Sequence, residues 1–205
     1  MISIYYRFRR IKELINKENT MFCKKVSVFL TMVLLFGTTG CASYKHSRID
    51  VHPVETYPIH TISKGILVAA DPCDSPEKAK EGFYHDVTAK NFYPVNLIFR
   101  NETFDRIIIS RDTVELVDAE NNVHRTVSST LMSDSFKYKT FGYSEMKIDW
   151  WEKELPEQAI IPVKGQMNGF VYFQLPKDQT TKGCTLKLQV ERLDTRKKIL
   201  LELVL

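Results

Sequence analysis

Thiols and clustered aromatic rings are the side chains in this sequence whose types and spacing invite chemistry. The chain of 205 residues has four cysteines, Cys23, Cys41, Cys73 and Cys184, and each thiol can be acylated, bridged or left reduced. Phe136, Tyr138, Phe141, Tyr143, Trp150 and Trp151 fall close together and interleave with Lys137, Lys139 and Lys147. Rings beside lysines suit a contact surface: a protein hot spot, a glycan stacking platform or a membrane interface. The competing reading has Trp150 and Trp151 capping one end of the fold with the lysines solvated. Catalytic templates do not match, because Gly142-Tyr143-Ser144-Glu145-Met146 lacks the second glycine of a nucleophile elbow, and neither a phosphate loop nor H-E-x-x-H occurs. His46, His52, His60, His85 and His124 are too scattered to predict a metal site, and His85-Asp86 is the one adjacent pair. The sequence therefore predicts no enzyme, no cofactor and no metal.

What precedes Cys41 determines its chemistry. Lys24 and Lys25 form a positive cluster, Val26 to Phe36 is almost unbroken apolar sequence, and Gly37-Thr38-Thr39-Gly40 leads to the cysteine in small residues. This order is that of a secretory signal, and the apolar core falls short of the roughly 20 residues a membrane-spanning helix needs. Thr38-Thr39-Gly40-Cys41 resembles the lipobox of bacterial lipoproteins, with Thr38 standing where that family prefers a large aliphatic residue. The resemblance implies a diacylated Cys41 as mature N-terminus, and in a cell with two membranes Ala42 after it matches the family's sorting pattern for the periplasmic side of the outer membrane. Gly40-Cys41-Ala42 also fits ordinary cleavage after Ala42, which would release a soluble exported protein. Residues 1–20 hold no second apolar core, and Met21 sits where a signal begins, so residues 1–40 are read as extension plus signal and left out of the fold.

The signal also sorts charge and thiols. Residues 1–40 hold seven Lys/Arg and two Asp/Glu of the chain's 29 and 25, so residues 41–205 carry 22 basic and 23 acidic groups, about one net negative charge. The basic isoelectric point belongs to the removed segment and gives no support to nucleic-acid binding. Cys23 leaves with the signal and Cys41 takes lipid, which leaves Cys73 and Cys184 either as a disulfide in an oxidising compartment or as two buried thiols.

The elements that must position these residues read mainly as strands. Residues 42–60 are polar, carry Pro53 and Pro58, and read as a tether. Ile66–Ala70 is a first strand, and Ser75-Pro76 opens a short helix ended by Gly82. Val95, Leu97 and Phe99 share one face of a half-buried strand; strands follow at Ile107–Ile109, Thr113–Asp118 and Val123–Val127. Residues 128–157 are too long for a simple β connection and form an aromatic insertion with a short helix after Ser128-Ser129. Gly169–Pro176, Leu186–Glu191 and Ile199–Leu205 complete the pattern, the last two as a hairpin. The expected fold for residues 61–205 is mainly β, an antiparallel sandwich of about seven or eight strands.

Phe99-Arg100-Asn101, Val114-Glu115-Leu116-Val117-Asp118, Pro162-Val163-Lys164-Gly165 and the Gly169–Pro176 strand look like the immunoglobulin-like domains found in many bacterial lipoproteins. With the lipobox, the resemblance implies an envelope protein held to a membrane through lipid on Cys41. Its expected work is to bind or scaffold another envelope protein; carbohydrate or peptidoglycan binding is the alternative and a hydrolase comes third. Asn101-Glu102-Thr103 has sequon spacing, which a bacterial address makes irrelevant.

Overall fold

Alternating apolar residues from Ile66 onward build two sheets that close on one another. The computed structural model describes residues 46, 49–136 and 142–205. Its strands are β1 (His60–Ser63), β2 (Ile66–Pro72), β3 (Phe92–Asn101), β4 (Ile107–Ser110), β5 (Glu115–Val117), β6 (Val123–Val127), β7 (Gln158–Ile161), β8 (Gln166–Gln174), β9 (Thr185–Arg192) and β10 (Lys198–Val204). Helices are α1 (Pro76–Phe83), α2 (Ser129–Asp134) and α3 (Tyr143–Lys153). The fold is mainly β, an antiparallel sandwich as the strand pattern predicts, with ten strands among the described residues rather than seven or eight. The short strands β1 and β7, four residues each, are the additions.

The hydrogen-bonded order is β1-β2-β3-β8-β6-β5-β9-β4-β7, with β10 on β9. The path folds over at β6, where Thr126 and Val127 pair with β8 and Val123 to Arg125 pair with β5. Strands β1, β2, β3 and β8 form the front sheet; β10, β9, β4, β5 and β7 form the back sheet. Between them lie Val68, Val95, Leu97 and Phe99 of the front and Ile107, Leu116, Leu188 and Leu201 of the back, all 2 % exposed or less.

Strands β4 and β5 run along one edge of β9 but out of register. Ile109 faces Val190 and Glu115 faces Lys187, so five residues span what β9 covers with two. The three-residue excess is the 3-10 turn Arg111–Thr113, pinned by the Thr113 hydroxyl donating to the carbonyls of Ser110 at 2.7 Å and Gln189 at 3.3 Å. This bulge lifts Arg111 off the sheet line.

The front sheet is buried on both faces. β3 was expected to be half-buried; nine of its ten residues are buried. Two clusters cover the outer face. One, under the helices, contains Phe83, Phe92, Met132, Phe136, Met146, Trp150, Phe170 and Tyr172. The other, under the N-terminal segment, contains Val54, Tyr57, Leu67, Ala69 and Ile98. The tether reading is therefore corrected from residue 49 onward: the 3-10 turn Val54–Thr56, set by Pro53, buries Val54 completely, and Ile49 and Val51 pack beside the clusters. Helix α1 begins as expected, with the Ser75 hydroxyl accepting from the Lys78 amide at 3.3 Å and Pro76 in the first turn. It runs through Gly82 and ends at Tyr84, whose φ is +55°.

Candidate functional site

Helix α3 divides the aromatic cluster. Met146 and Trp150, four residues apart, fall on one helical face and are fully buried; Ile148 and Trp151, three apart, fall on the other, 52 % and 65 % exposed. Trp150 meets Phe83 and Phe136 edge-on at 5.7 and 5.6 Å between centroids, and its carbonyl accepts from the Tyr172 hydroxyl at 2.8 Å. Phe136 is 7 % exposed and Tyr143 packs half-buried against the same cluster. As partner contacts Phe136 and Trp150 are thus corrected: they fill the space between helices and sheet. Among the described rings of the set, Trp151 is the exposed one. Tyr138 and Phe141, like Lys137, Lys139, Cys41 and the whole signal segment, lie outside the described residues.

The buried side of α3 is fixed by charge as well as by rings. Lys153 reaches the Asp149 carboxylate at 2.5 Å and donates to the Gly82 carbonyl of α1 at 3.0 Å. His46 Nδ1 meets the other Asp149 oxygen at 3.0 Å. Burial pulls the Lys153 ammonium below the usual lysine range, against the carboxylate that holds its proton.

Past α3 the chain turns sharply against β8. The Leu155 amide donates to the Phe170 carbonyl at 2.7 Å, and a Cβ on Gly169 would stand 2.8 Å from Leu155 Cα, so this approach requires glycine there. The turn delivers Glu154, whose carboxylate accepts from the Ser129 amide at 3.1 Å and hydroxyl at 2.6 Å and pairs with Arg111 at 2.5 Å. The Glu154 side chain is 6 % exposed and Ser129 is 1 % exposed, so this serine–carboxylate contact is largely buried at the wall of a cleft. The second Arg111 nitrogen has a long contact of 3.9 Å to the exposed Glu157.

Two clefts meet around this guanidinium. One, about 670 Å³, is bounded by Trp151, Thr130, Glu152 and Pro156; the other, about 470 Å³, by Ser110, Asp112, Thr126 and Gln158. Both include Arg111, Ser128 and Glu157 and so form one surface. Chemically it offers an indole face, hydroxyls, exposed carboxylates and part of a guanidinium. Arg111 carries no motif in the sequence; its role comes from the register excess between β4 and β5, which only the pairing reveals.

Other candidates are placed differently. Cys73 and Cys184 are free thiols in separate clusters, Cys73 under α1 and Cys184 between the sheets, so the disulfide expectation is corrected. Burial pushes the Cys73 thiol up to about 12, and the Cys184 thiol is raised by the same cause. His85 and Asp86 separate: His85 packs 5.4 Å from Phe136, with burial lowering its pKa, while Asp86 caps the next turn by accepting from the Thr88 hydroxyl and Ala89 amide. Among the described residues no group of three His, Cys, Asp or Glu could hold a metal, and no helix is long and apolar enough to cross a membrane. Asn101 of the sequon-like triplet is fully buried, its amide donating to the Asp105 and Pro162 carbonyls and its oxygen accepting from Thr103.

No protein-family model matches this chain, and no curated protein is similar to it. Among solved structures it is similar to the yjhA protein from Bacillus subtilis at 12 % identity, with a TM-score of 0.39 over 70 % of this chain and 95 % of that one. That likeness is too distant to transfer any function.

Proposed function

We propose that this chain is a lipid-anchored protein of a bacterial cell envelope whose sandwich works by binding another envelope protein through the α3 face and the clefts around Arg111. The carrying observation is the contrast between adjacent tryptophans: Trp150 is fully buried and Trp151 is 65 % exposed beside a polar cleft. A large ring left in solvent next to Ile148, 52 % exposed, is the kind of residue on which binding energy concentrates. The anchor rests on the resemblance of Thr38-Thr39-Gly40-Cys41 to a lipobox, and in a cell with two membranes Ala42 supports the periplasmic side of the outer one. Carbohydrate binding is the second reading, favoured by an indole flanked by Thr130, Ser128 and the Glu152 and Glu157 carboxylates, since sugars stack on rings and hydrogen-bond at their edges.

Crosslinking in intact cells followed by mass spectrometry tests both parts. The N-terminal peptide carries acyl chains on Cys41 if the anchor is right, and begins after Ala42 without lipid if it is wrong. A protein adduct lost in Trp151→Ala supports the protein-binding reading. Retention on isolated peptidoglycan that Trp151→Ala abolishes replaces it with the carbohydrate reading, and indifference of both assays to Trp151 removes the α3 face from either.

A further inference from the structure

Four turns meet at the end of the sandwich where β3 finishes: β1–β2 at residues 64–65, β3–β4 at 102–106, β7–β8 at 162–165 and β9–β10 at 193–197. Hydrogen bonds stitch them together. The backbone amide of Glu102 donates to the Gly65 carbonyl at 2.8 Å, that of Asn101 to Gly165 at 2.9 Å and that of Leu193 to Arg106 at 2.8 Å. The Arg192 guanidinium adds a bond of 2.8 Å to the Lys64 carbonyl.

At the apex stands Phe104, 88 % exposed. Its exposure does not come from a slack loop, because Asn101 and Thr103 are buried and fasten the residues on either side of it. The Asn101 side chain donates to the Asp105 carbonyl at 2.8 Å and accepts from the Thr103 amide at 3.0 Å, and the Thr103 hydroxyl donates to the same carbonyl at 3.0 Å. These bonds use no atom of the Phe104 side chain, whose ring meets the Lys164 ammonium at 5.4 Å from its centroid. Val163, 41 % exposed, and the exposed Pro162 continue the apolar apex on the neighbouring turn.

Charge at this end is one-sided. Its carboxylates are engaged: Glu102 with Arg100 and Lys164, Asp105 with Arg192, Asp194 with Arg106 and Glu191 with Arg196. Lys64 and Lys197 are exposed and have no ion-pair partner among the described residues, so the tip is net positive although residues 41–205 together carry about one negative charge. Neither Phe104 nor Val163 lines a described cleft; the apex projects, and it fits a surface that yields around a ring. An apolar apex ringed by ammonium groups matches an anionic bilayer, in which phosphates lie outside and acyl chains within.

We propose that this four-turn end is a membrane-contact tip, with Phe104 and Val163 entering the interface of a bilayer that contains anionic lipid and Lys64, Lys164 and Lys197 meeting its phosphates. It shares no residue with the clefts at Arg111 and depends neither on lipid at Cys41 nor on the function assigned to those clefts.

Co-sedimentation with vesicles tests it, on the chain from residue 41 onward carrying Cys41→Ser so that no acyl chain contributes. Vesicles of phosphatidylethanolamine with phosphatidylglycerol supply the anionic surface, and phosphatidylcholine the neutral one. Binding to the anionic vesicles is expected to fall as salt rises and to be about tenfold tighter than to the neutral ones. Phe104→Ser is expected to weaken it about tenfold with the melting temperature unchanged, since the ring is exposed. Lys64→Gln with Lys197→Gln is expected to weaken binding about tenfold on anionic vesicles and to leave phosphatidylcholine binding as it is. In intact cells, a photoreactive amino acid at position 104 of the full chain is expected to capture lipid. The proposal is overturned if the chain does not bind anionic vesicles, if neutral vesicles bind it equally, if Phe104→Ser binds as the wild type does, or if position 104 captures a protein in place of lipid.

Discussion

Successive residues of β3 point to two regions built differently. Tyr93, Val95, Leu97 and Phe99 meet the back sheet in a cluster that is aliphatic except for a few rings and the Cys184 thiol. Phe92, Asn96 and Ile98 meet the helices, where rings predominate and the Asp149–Lys153 pair is enclosed, and the N-terminal segment, where aliphatic residues surround Tyr57; the Asn96 side chain has no partner. Side chains in the first region have one task, to fill space between two sheets at fixed separation. In the second, each covering element arrives separately and needs its own fastening: Lys153 to Gly82, Tyr172 to Trp150, Leu155 to Phe170. Exposed Trp151 and the clefts at Arg111 both belong to this outer layer or its margin, so the sandwich core supplies rigidity and the covering layer supplies these surfaces.

Three substitutions press on this contrast, from the largest effect to the smallest. Trp150→Ala removes the ring that joins α3 to Phe83 of α1 and to Phe136 just past α2, and is expected to cost about 4 kcal/mol in urea unfolding, as much as a comparable truncation between the sheets such as Leu188→Ala. A cost below about 1 kcal/mol, the level of an ordinary surface change, would show that the outer layer is not a true core. Gly169→Ala forces the turn carrying Glu154 away from β8 and is expected to cost about 2 kcal/mol, with the Arg111 clefts lost alongside stability. If the variant unfolds at the wild-type midpoint, the close approach at Leu155 does not position the site.

The third concerns pH and the back sheet. Hydrogen bonds from Asn122 and from His124 hold the Asp118 carboxyl at about 2, below its ordinary 3.8. A depressed carboxylate contributes stability that is full above 3.8 and is lost as pH falls toward 2. Asp118→Asn should therefore flatten the acid slope of stability in that window while leaving the α3 face intact. An unchanged slope would mean that the turn between β5 and β6 is not held by this carboxylate.

Much of the sandwich was legible because period 2 survives in the back sheet: Leu186, Leu188 and Val190 alternate in the sequence and all three are buried. The front sheet was harder, since burial on both faces erases alternation; the run from Val95 to Phe99 interrupted by Asn96 carried that signal. Around Val54 and Tyr57 two prolines and polar neighbours give the pattern of a tether, and the two isolated apolar residues pack only once a sheet is there to receive them. Within the insertion, the spacing of Met146 to Trp150 and of Ile148 to Trp151 separates buried from exposed faces once a helix is assumed; treating six rings as one patch concealed it. Arg111 was invisible because its place is defined by which residues stand opposite on another strand.

The central claim is that the outer layer presents Trp151 as a contact residue. A photoreactive amino acid placed at position 151 in intact cells, beside a control at the exposed Leu200 of β10, tests it directly. A discrete adduct from position 151 and none from position 200 is the expected result. No adduct from 151, or the same adducts from both positions, would contradict it.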